Sequence, residues 1–284
     1  MSNIPSLTLN TNASMPLLGL GVYKATAPGE VEGAIATALD LGYRLIDTAS
    51  AYKNEEGVGR GIRSSSVPRK ELFITTKLWN TAQRIGDIDG AFQRSLDRLG
   101  LDYVDLYLIH WASANYIETW KAMEEVYNAG KIKAIGVSNF QIHHLEDLMS
   151  HTEIIPMINQ IETHPAFPQD ELRAFMAQHA IIHEAWGPLG QGKNDLLTQA
   201  VLLELAEQYG KTPAQIVLRW HIERGIVVIP KSVTPSRIRE NRDIFDFSLS
   251  KEDMDKVATL NTGERYSGNP DDQEFLTRTS IRPN

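Results

Sequence analysis

The chain contains no cysteine. That excludes disulfide cross-links, thiolate metal sites and a cysteine nucleophile together, and it suits a reducing compartment. Positive charge is also scarce: 28 Lys and Arg stand against 36 Asp and Glu, a formal net charge of −8. The basic footprint by which proteins hold nucleic acid or an anionic membrane surface is therefore missing, although a local basic pocket is still permitted. No run of about 18 apolar residues is available to span a bilayer. Met1–Gly19 lacks a basic stretch followed by a long apolar one, so no secretory signal is expected and the cytoplasm is the expected compartment.

What is present is typical of a globular protein, with 42% hydrophobic and 23% charged residues over 284 positions, enough to bury a core unaided. Short β-rich apolar runs alternate with amphipathic stretches. The candidate strands are Gly19–Tyr23, Arg44–Ala49, Leu72–Leu78, Tyr103–His110, Lys133–Ser138, Met157–Glu162, Ala180–Trp186 and Ile226–Lys231. Most are apolar almost throughout, as parallel strands covered on both faces must be. Between them, Val31, Ile35, Ala38 and Leu39 line one face of Gly29–Leu41. Phe92, Leu96 and Leu99 do the same in Asp89–Leu99, and Trp120, Met123, Val126 and Tyr127 in Ile117–Ala129. Such stripes belong to helices packed on a sheet. Thr212-Pro213-Ala214-Gln215 forms a capping box with proline in the first helical position, and Ser250 opens a last helix over Asp253–Leu260.

Eight strand–helix alternations in one chain predict a (β/α)8 TIM barrel of the α/β class, which takes roughly 250 residues. A single domain over 1–284 is expected: a hairpin at about 6–18 turning at Thr11-Asn12, a barrel over about 19–260, and a loop or short tail over 261–284. A doubly wound two-domain protein is the alternative.

A barrel carries its chemistry at the C-terminal ends of its strands. Asp47, Lys77 and His110 sit at three successive strand ends, with Tyr52 just beyond the first. A tyrosine has an ordinary pKa near 10 and gives up its proton reluctantly at neutral pH. A lysine beside it, held charged by an aspartate, is expected to lower that value, with the histidine holding a carbonyl oxygen within reach. Each residue alone is as well explained by structure; together at neighbouring strand ends they read as a proton-handling site. Lys231 and Ser232 end the eighth strand, and Thr234 and Pro235 look like the cap and first residue of a helix bearing Arg237 and Arg239. Exposed N–H groups beside these cations form an anion site. Gly19-Leu20-Gly21 lacks the third glycine of a dinucleotide fingerprint and reads as a tight barrel entry. The remaining histidines show no metal spacing; His143 and His144 are expected to face apart on a helix, and no metal is expected.

Gly42-Tyr-Arg-Leu-Ile-Asp-Thr-Ala49 with Tyr52, Asp105-Leu-Tyr-Leu-Ile-His110, Gly136-Val-Ser-Asn-Phe140 and Ile229-Pro-Lys-Ser232 resemble the aldo-keto reductases over about residues 5–262. Trp186-Gly-Pro-Leu-Gly-Gln-Gly192 and the short C-terminus resemble most the bacterial 2,5-diketo-D-gluconic acid reductases. The resemblance implies NADPH-dependent reduction of aldehydes, ketones or dicarbonyls. It implies a catalytic set of Asp47, Tyr52, Lys77 and His110, with Tyr52 as general acid. It places the nicotinamide carboxamide on Ser138, Asn139 and Gln160, the ring on Trp186, and the pyrophosphate by Gly187, Leu189 and Gln191. The 2′-phosphate falls to Lys231, Ser232, Val233 and Arg237, and adenine to Glu240 and Asn241. Trp186 stands where many members have tyrosine, and Trp111–Tyr116 is short and lacks a proline after His-Trp. Tyr23, Trp79 and Trp111 are expected to line the substrate mouth. A monomer acting on a small carbonyl compound is expected, with no nucleic acid or membrane partner. A non-catalytic NADPH-binding sensor or scaffold is the alternative, and a phosphate-binding barrel isomerase or lyase a third possibility.

Overall fold

The computed structural model describes residues 4–10 and 13–281. Its first elements are β1 (Ser6–Thr8), β2 (Ser14–Pro16), β3 (Gly19–Gly21), α1 (Glu30–Asp40), β4 (Leu45–Asp47) and α2 (Glu55–Arg63). There follow β5 (Phe73–Leu78), α3 (Asn80–Ile85), α4 (Ile88–Leu99), β6 (Leu106–Ile109), α5 (Tyr116–Asn128), β7 (Ile135–Ser138) and α6 (Ile142–His151). The chain continues through β8 (Ile158–Glu162), α7 (Asp170–Gln178), β9 (Ile182–Trp186), α8 (Ala200–Tyr209), α9 (Pro213–Glu223) and β10 (Val227–Val228). It ends in α10 (Pro235–Arg242), α11 (Lys251–Ala258) and α12 (Gln273–Ile281).

Strands β3 to β10 form one eight-stranded parallel sheet in sequence order, and every residue of β5, β6, β7 and β8 is buried. The sheet closes into a barrel where its first and last strands meet, through parallel bridges Leu18↔Val228 and Gly21↔Lys231. That seam explains Gly21, and the neighbouring strand β4 explains Gly19. A Cβ on Gly21 would lie 2.6 Å from the Ile229 carbonyl oxygen, and one on Gly19 would lie 2.4 Å from the Leu45 side chain. The predicted TIM barrel is therefore the fold, with each strand somewhat shorter than its apolar run.

The β1–β2 hairpin pairs Ser6 with Pro16 and Leu7 with Met15; its turn at Thr11-Asn12 lies outside the described residues. Leu9 and Met15 join the main core, and because the hairpin runs directly into β3 it sits at the N-terminal end of the strands. The two capping signals hold. Gln215 N donates to Thr212 Oγ1 at 3.3 Å while Thr212 N donates to Gln215 Oε1 at 2.9 Å. Asp253 N donates to Ser250 Oγ at 3.1 Å, so α11 begins directly after Ser250.

The C-terminal segment departs from expectation. Within 261–284, expected as loop, α12 forms and packs on α3. Phe275 N donates to Asp272 Oδ1 at 3.0 Å, capping the helix. The inner face is mostly polar: Asn80 Nδ2 donates to Thr279 Oγ1 at 2.8 Å, and Arg84 Nε to the Ser280 carbonyl at 3.0 Å. Hydrogen bonds hold this helix where hydrophobic periodicity is absent. Among the described residues no helix is long and apolar enough to cross a membrane.

Candidate active site

The barrel brings Asp47, Tyr52, Lys77 and His110 together at the C-terminal strand ends. Asp47 ends β4, and Tyr52 ends the single-turn helix Ser50–Tyr52 that follows it; Lys77 lies near the end of β5, and His110 follows β6. Lys77 is wholly buried, and its Nζ donates to Asp47 Oδ1 at 2.6 Å, Asp47 Oδ2 at 2.8 Å, the Thr48 carbonyl at 2.9 Å and Tyr52 Oη at 3.4 Å. Burial presses the ammonium toward neutrality, but Asp47, Tyr52 and Glu184 together, Asp47 foremost, outweigh it and hold Lys77 above the usual lysine value.

The expected acidification of Tyr52 is not found. Its pKa is pushed up to about 12, first by burial, with Lys77 opposing and Asp47 reinforcing the rise. The clasp that keeps Lys77 charged also neutralises much of its field at the phenol, so desolvation wins. His110 is held well below the ordinary histidine value by burial and then by Lys77, which keeps the ring neutral. Its Nδ1 is buried without a hydrogen-bond partner among the described residues. The His110 ring meets Tyr52 edge-on at 5.8 Å and Trp79 at 5.0 Å between centroids.

Ser138, Asn139, Gln160 and Trp186 form one connected group beside this set. Ser138 Oγ donates to the Gln160 carbonyl at 2.7 Å. Asn139 Nδ2 donates to Ser138 Oγ and to the His110 carbonyl, each at 3.0 Å. Trp186 Nε1 donates to Asn139 Oδ1 at 2.9 Å. Gln160 Nε2 lies 2.8 Å from Asp47 Oδ2 and 2.9 Å from Glu184 Oε2. Burial, then the Asp47 charge, pushes the Glu184 carboxyl up to about 8.

The anion-site residues gather where the barrel closes. Lys231 and Arg237 are exposed, and among the described residues neither has an ion pair or side-chain hydrogen bond. Ser232 is buried and Val233 partly so. Pro235 opens α10, but Thr234 makes no side-chain cap; Thr234 N donates instead to Ser232 Oγ at 3.2 Å. Glu240 faces α9, where Thr212 Oγ1 donates to its carboxylate at 2.7 Å, and Asn241 is buried next to it. Gly187 and Gln191 adopt left-handed backbone, at φ 61° and 55°, with Leu189 packed against the core between them. This turn is tied to the C-terminal segment: Lys193 Nζ bonds the Tyr266 carbonyl, and Asn194 Nδ2 donates to Glu264 Oε1 at 2.9 Å.

At the mouth, Tyr23 is 48% exposed and its ring lies 4.9 Å from that of Tyr52. Trp79 borders His110, whereas Trp111 is buried and meets Phe275 of α12 edge-on at 4.9 Å. Phe275 and Glu184 are the residues that sequence reasoning gave no role. Asp272 followed by Gln273-Glu274-Phe275-Leu276 was the available signal for the first, an N-cap before a short apolar pair. For Glu184 the only signal was an acidic residue inside an apolar strand.

His143 and His144 do not face apart. Their rings lie 4.0 Å from one another, and their Nε2 atoms are 3.2 and 3.7 Å from Asp271 Oδ1. Their ligand atoms with that of Asp271 fall within 4.8 Å of one another. The cause is a capping box in which Gln141 N donates to His144 Nδ1 at 3.1 Å, folding that ring over the helix start. With its Nδ1 lone pair so engaged, the neutral ring carries its proton on Nε2 and meets Asp271 as a donor, which is not how a metal ligand presents itself.

The aldo/keto reductase family model matches residues 17–262. The chain is 52% identical over 271 residues to a glyoxal reductase of Bacillus subtilis, covering 95% of this chain and 98% of that protein. It is 52% identical over 274 residues to a methylglyoxal reductase of Escherichia coli, with the same coverage. A Bombyx mori aldo-keto reductase in complex with NADP superposes with a TM-score of 0.89 at 37% identity, over 94% of this chain and 96% of that one. With this extent of match and this arrangement of strand-end residues, the chain belongs to the aldo/keto reductase family of oxidoreductases.

Proposed function

We propose that the protein reduces small aldehydes and dicarbonyls with NADPH, and that Tyr52 supplies the proton. The observation that carries this reading is the Lys77 ammonium, clasped by both oxygens of Asp47 and 3.4 Å from the Tyr52 hydroxyl at an open barrel mouth. A pKa of about 12 keeps the phenol protonated at neutral pH, so the proton is in place when a carbonyl arrives. As it leaves Oη for the carbonyl oxygen, Lys77 stabilises the phenolate left behind and Asp47 keeps Lys77 charged. The neutral His110 ring can orient the carbonyl oxygen through a ring N–H.

The donor set fits a phosphorylated nicotinamide dinucleotide. Lys231 and Arg237 are unpaired cations suited to the 2′-phosphate, the α10 start offers backbone N–H groups to an anion, and Ser138, Asn139 and Gln160 gather amide and hydroxyl groups beside the Trp186 ring. When bound, that cofactor supplies hydride to the carbonyl carbon, which is chemistry the protein orients rather than performs. The similar proteins named for glyoxal and methylglyoxal, together with the apolar Tyr23–Trp79 rim, support a small dicarbonyl as substrate.

The test is loss of NADPH absorbance with methylglyoxal and a panel of aldehydes and ketones. Tyr52→Phe should lose ~10²–10⁴-fold in kcat while still binding NADPH, followed by tryptophan fluorescence. Absence of turnover across the panel would remove the reductase reading, and tight NADPH binding without turnover would make the barrel a sensor.

A further inference from the structure

We propose that Glu184 is a positioning residue: together with Asp47 it fixes which end of the Gln160 amide faces the cofactor. The proposal rests on the reading above that Gln160 contacts the nicotinamide carboxamide.

Gln160 on β8 and Glu184 on β9 are register partners, so both side chains point into the barrel. Gln160 Nε2 sits between two carboxylate oxygens, 2.8 Å from Asp47 and 2.9 Å from Glu184. A carbonyl oxygen there would face the Asp47 carboxylate at 2.8 Å, which can only accept, so this end is the NH2 group, and Glu184 Oε2 takes its other N–H. The amide is planar, which turns Oε1 the opposite way as an acceptor. A carboxamide nitrogen on a ligand needs such an acceptor. Asp47 favours the same choice, since its Oδ2 accepts from Gln160 Nε2 as well as from Lys77 Nζ. Without Glu184, the second buried N–H of Gln160 would have no acceptor, and Asp47 alone would hold the amide.

A purely structural role explains Glu184 poorly. The residue is fully buried, and its second oxygen, Oε1, has no hydrogen-bond partner among the described residues. Leucine would fill that place with no buried polar oxygen of its own, so the carboxyl is explained by the Gln160 N–H that it accepts. The charged groups facing it are Asp47 from β4 and Lys77 from β5, the same pair that serves Tyr52. Glu184 thus joins the proton-handling set to the cofactor-orienting set through a single amide.

The experiment compares dissociation constants, without turnover, for NADP+ and for its 3-acetylpyridine analogue, in which a methyl group replaces the carboxamide nitrogen. Wild type should bind NADP+ ~2–10-fold tighter, the worth of one hydrogen bond. Glu184→Leu should weaken NADP+ binding and reduce the discrimination. Glu184→Gln, which keeps an acceptor oxygen, should restore it. Glu184→Met repeats the deletion if the leucine variant does not fold, and failure of both to fold would make the residue structural and overturn the proposal. Equal affinity for both dinucleotides in wild type would remove the Gln160 contact itself. Discrimination retained in Glu184→Leu would overturn only the role of Glu184, leaving the Gln160 contact intact.

Discussion

The indole of Trp186 is tied to Asn139, Nε1 to Oδ1 at 2.9 Å, and Asn139 in turn donates to the His110 carbonyl at 3.0 Å. The ends of β9, β7 and β6 are thereby linked through one side chain, and the aromatic face expected under the nicotinamide is fixed in rotation. Trp186→Phe keeps an aromatic ring but leaves Asn139 Oδ1 without its donor. The expected result is NADPH binding weakened by about 10-fold, in the range for a lost hydrogen bond with a stranded partner, read by isothermal titration. Unchanged affinity would mean that the tether does not matter.

Lys77 and Asp47 form the most deeply buried ion pair of the site. Removing one partner of such a pair leaves an uncompensated buried charge, which costs about 3–5 kcal/mol. Lys77→Met should therefore lower stability toward urea by that amount and abolish turnover. Adding Asp47→Asn to the same chain should recover much of the stability but none of the activity. If the double variant is no more stable than Lys77→Met, the charge of Asp47 is not what destabilises it.

The pair also shows where the sequence stops being readable. Strand order and the residues at strand ends could be read directly, because buried parallel strands are apolar throughout and Asp47, Lys77 and His110 interrupt that pattern. The direction of the Tyr52 shift could not, since it depends on how completely Asp47 offsets Lys77 in a desolvated pocket, a matter of tenths of an ångström. Glu184 could be seen but not interpreted, because its partners lie on β8 and across the barrel on β4. Helix α12 was missed because Asn80 and Arg84 hold it with hydrogen bonds that leave no period in the sequence. His143 and His144 were misread because helical spacing ignores a side chain that caps its own helix.

Two sets of buried groups should make stability depend on pH in opposite directions. His183 and His221 are held neutral by burial, His221 at about 4. A depressed histidine contributes stability that is present above the unfolded value of ~6.5 and is lost as pH falls. Glu184, raised to about 8, contributes the opposite way: its stabilisation is present below the unfolded glutamate value and is lost as pH rises through 8. Between the unfolded glutamate value and pH 8 the Glu184 contribution to the urea midpoint should therefore fall as pH rises, while Glu184→Gln should remove that fall and leave the histidine-driven acid loss unchanged. The same fall in both proteins would show that another group titrates there.

Asp272 caps α12 through Phe275 N, and Phe275 covers Trp111 at the substrate side of the barrel. Asp272→Ala should cost about 1 kcal/mol of local helix stability, seen as faster proteolysis near the C-terminus with the melting of the barrel unchanged. Phe275→Ala should raise KM for carbonyl substrates without changing NADPH affinity. Equal effects on both ligands would place Phe275 outside the substrate mouth.

The choice between NADPH and NADH should rest on Lys231 and Arg237, two exposed cations with no ion-pairing partner among the described residues of a chain with net charge −8. An unpaired surface cation gains little from folding, so its value lies in what it can attract. A dianionic 2′-phosphate between two cations gains charge-assisted hydrogen bonds of about 1.5–3 kcal/mol each, whereas NADH offers a hydroxyl there. Lys231→Ala combined with Arg237→Ala should therefore raise the KM for NADPH by ~100-fold, leave that for NADH nearly unchanged, and largely remove the salt dependence of NADPH binding. Both residues lie on the strand-end turn and α10, and neither hydrogen-bonds a member of the catalytic set among the described residues, so kcat at saturating cofactor should be preserved. A parallel loss with both cofactors would instead mean that the two cations hold the loop in shape and do not read the phosphate.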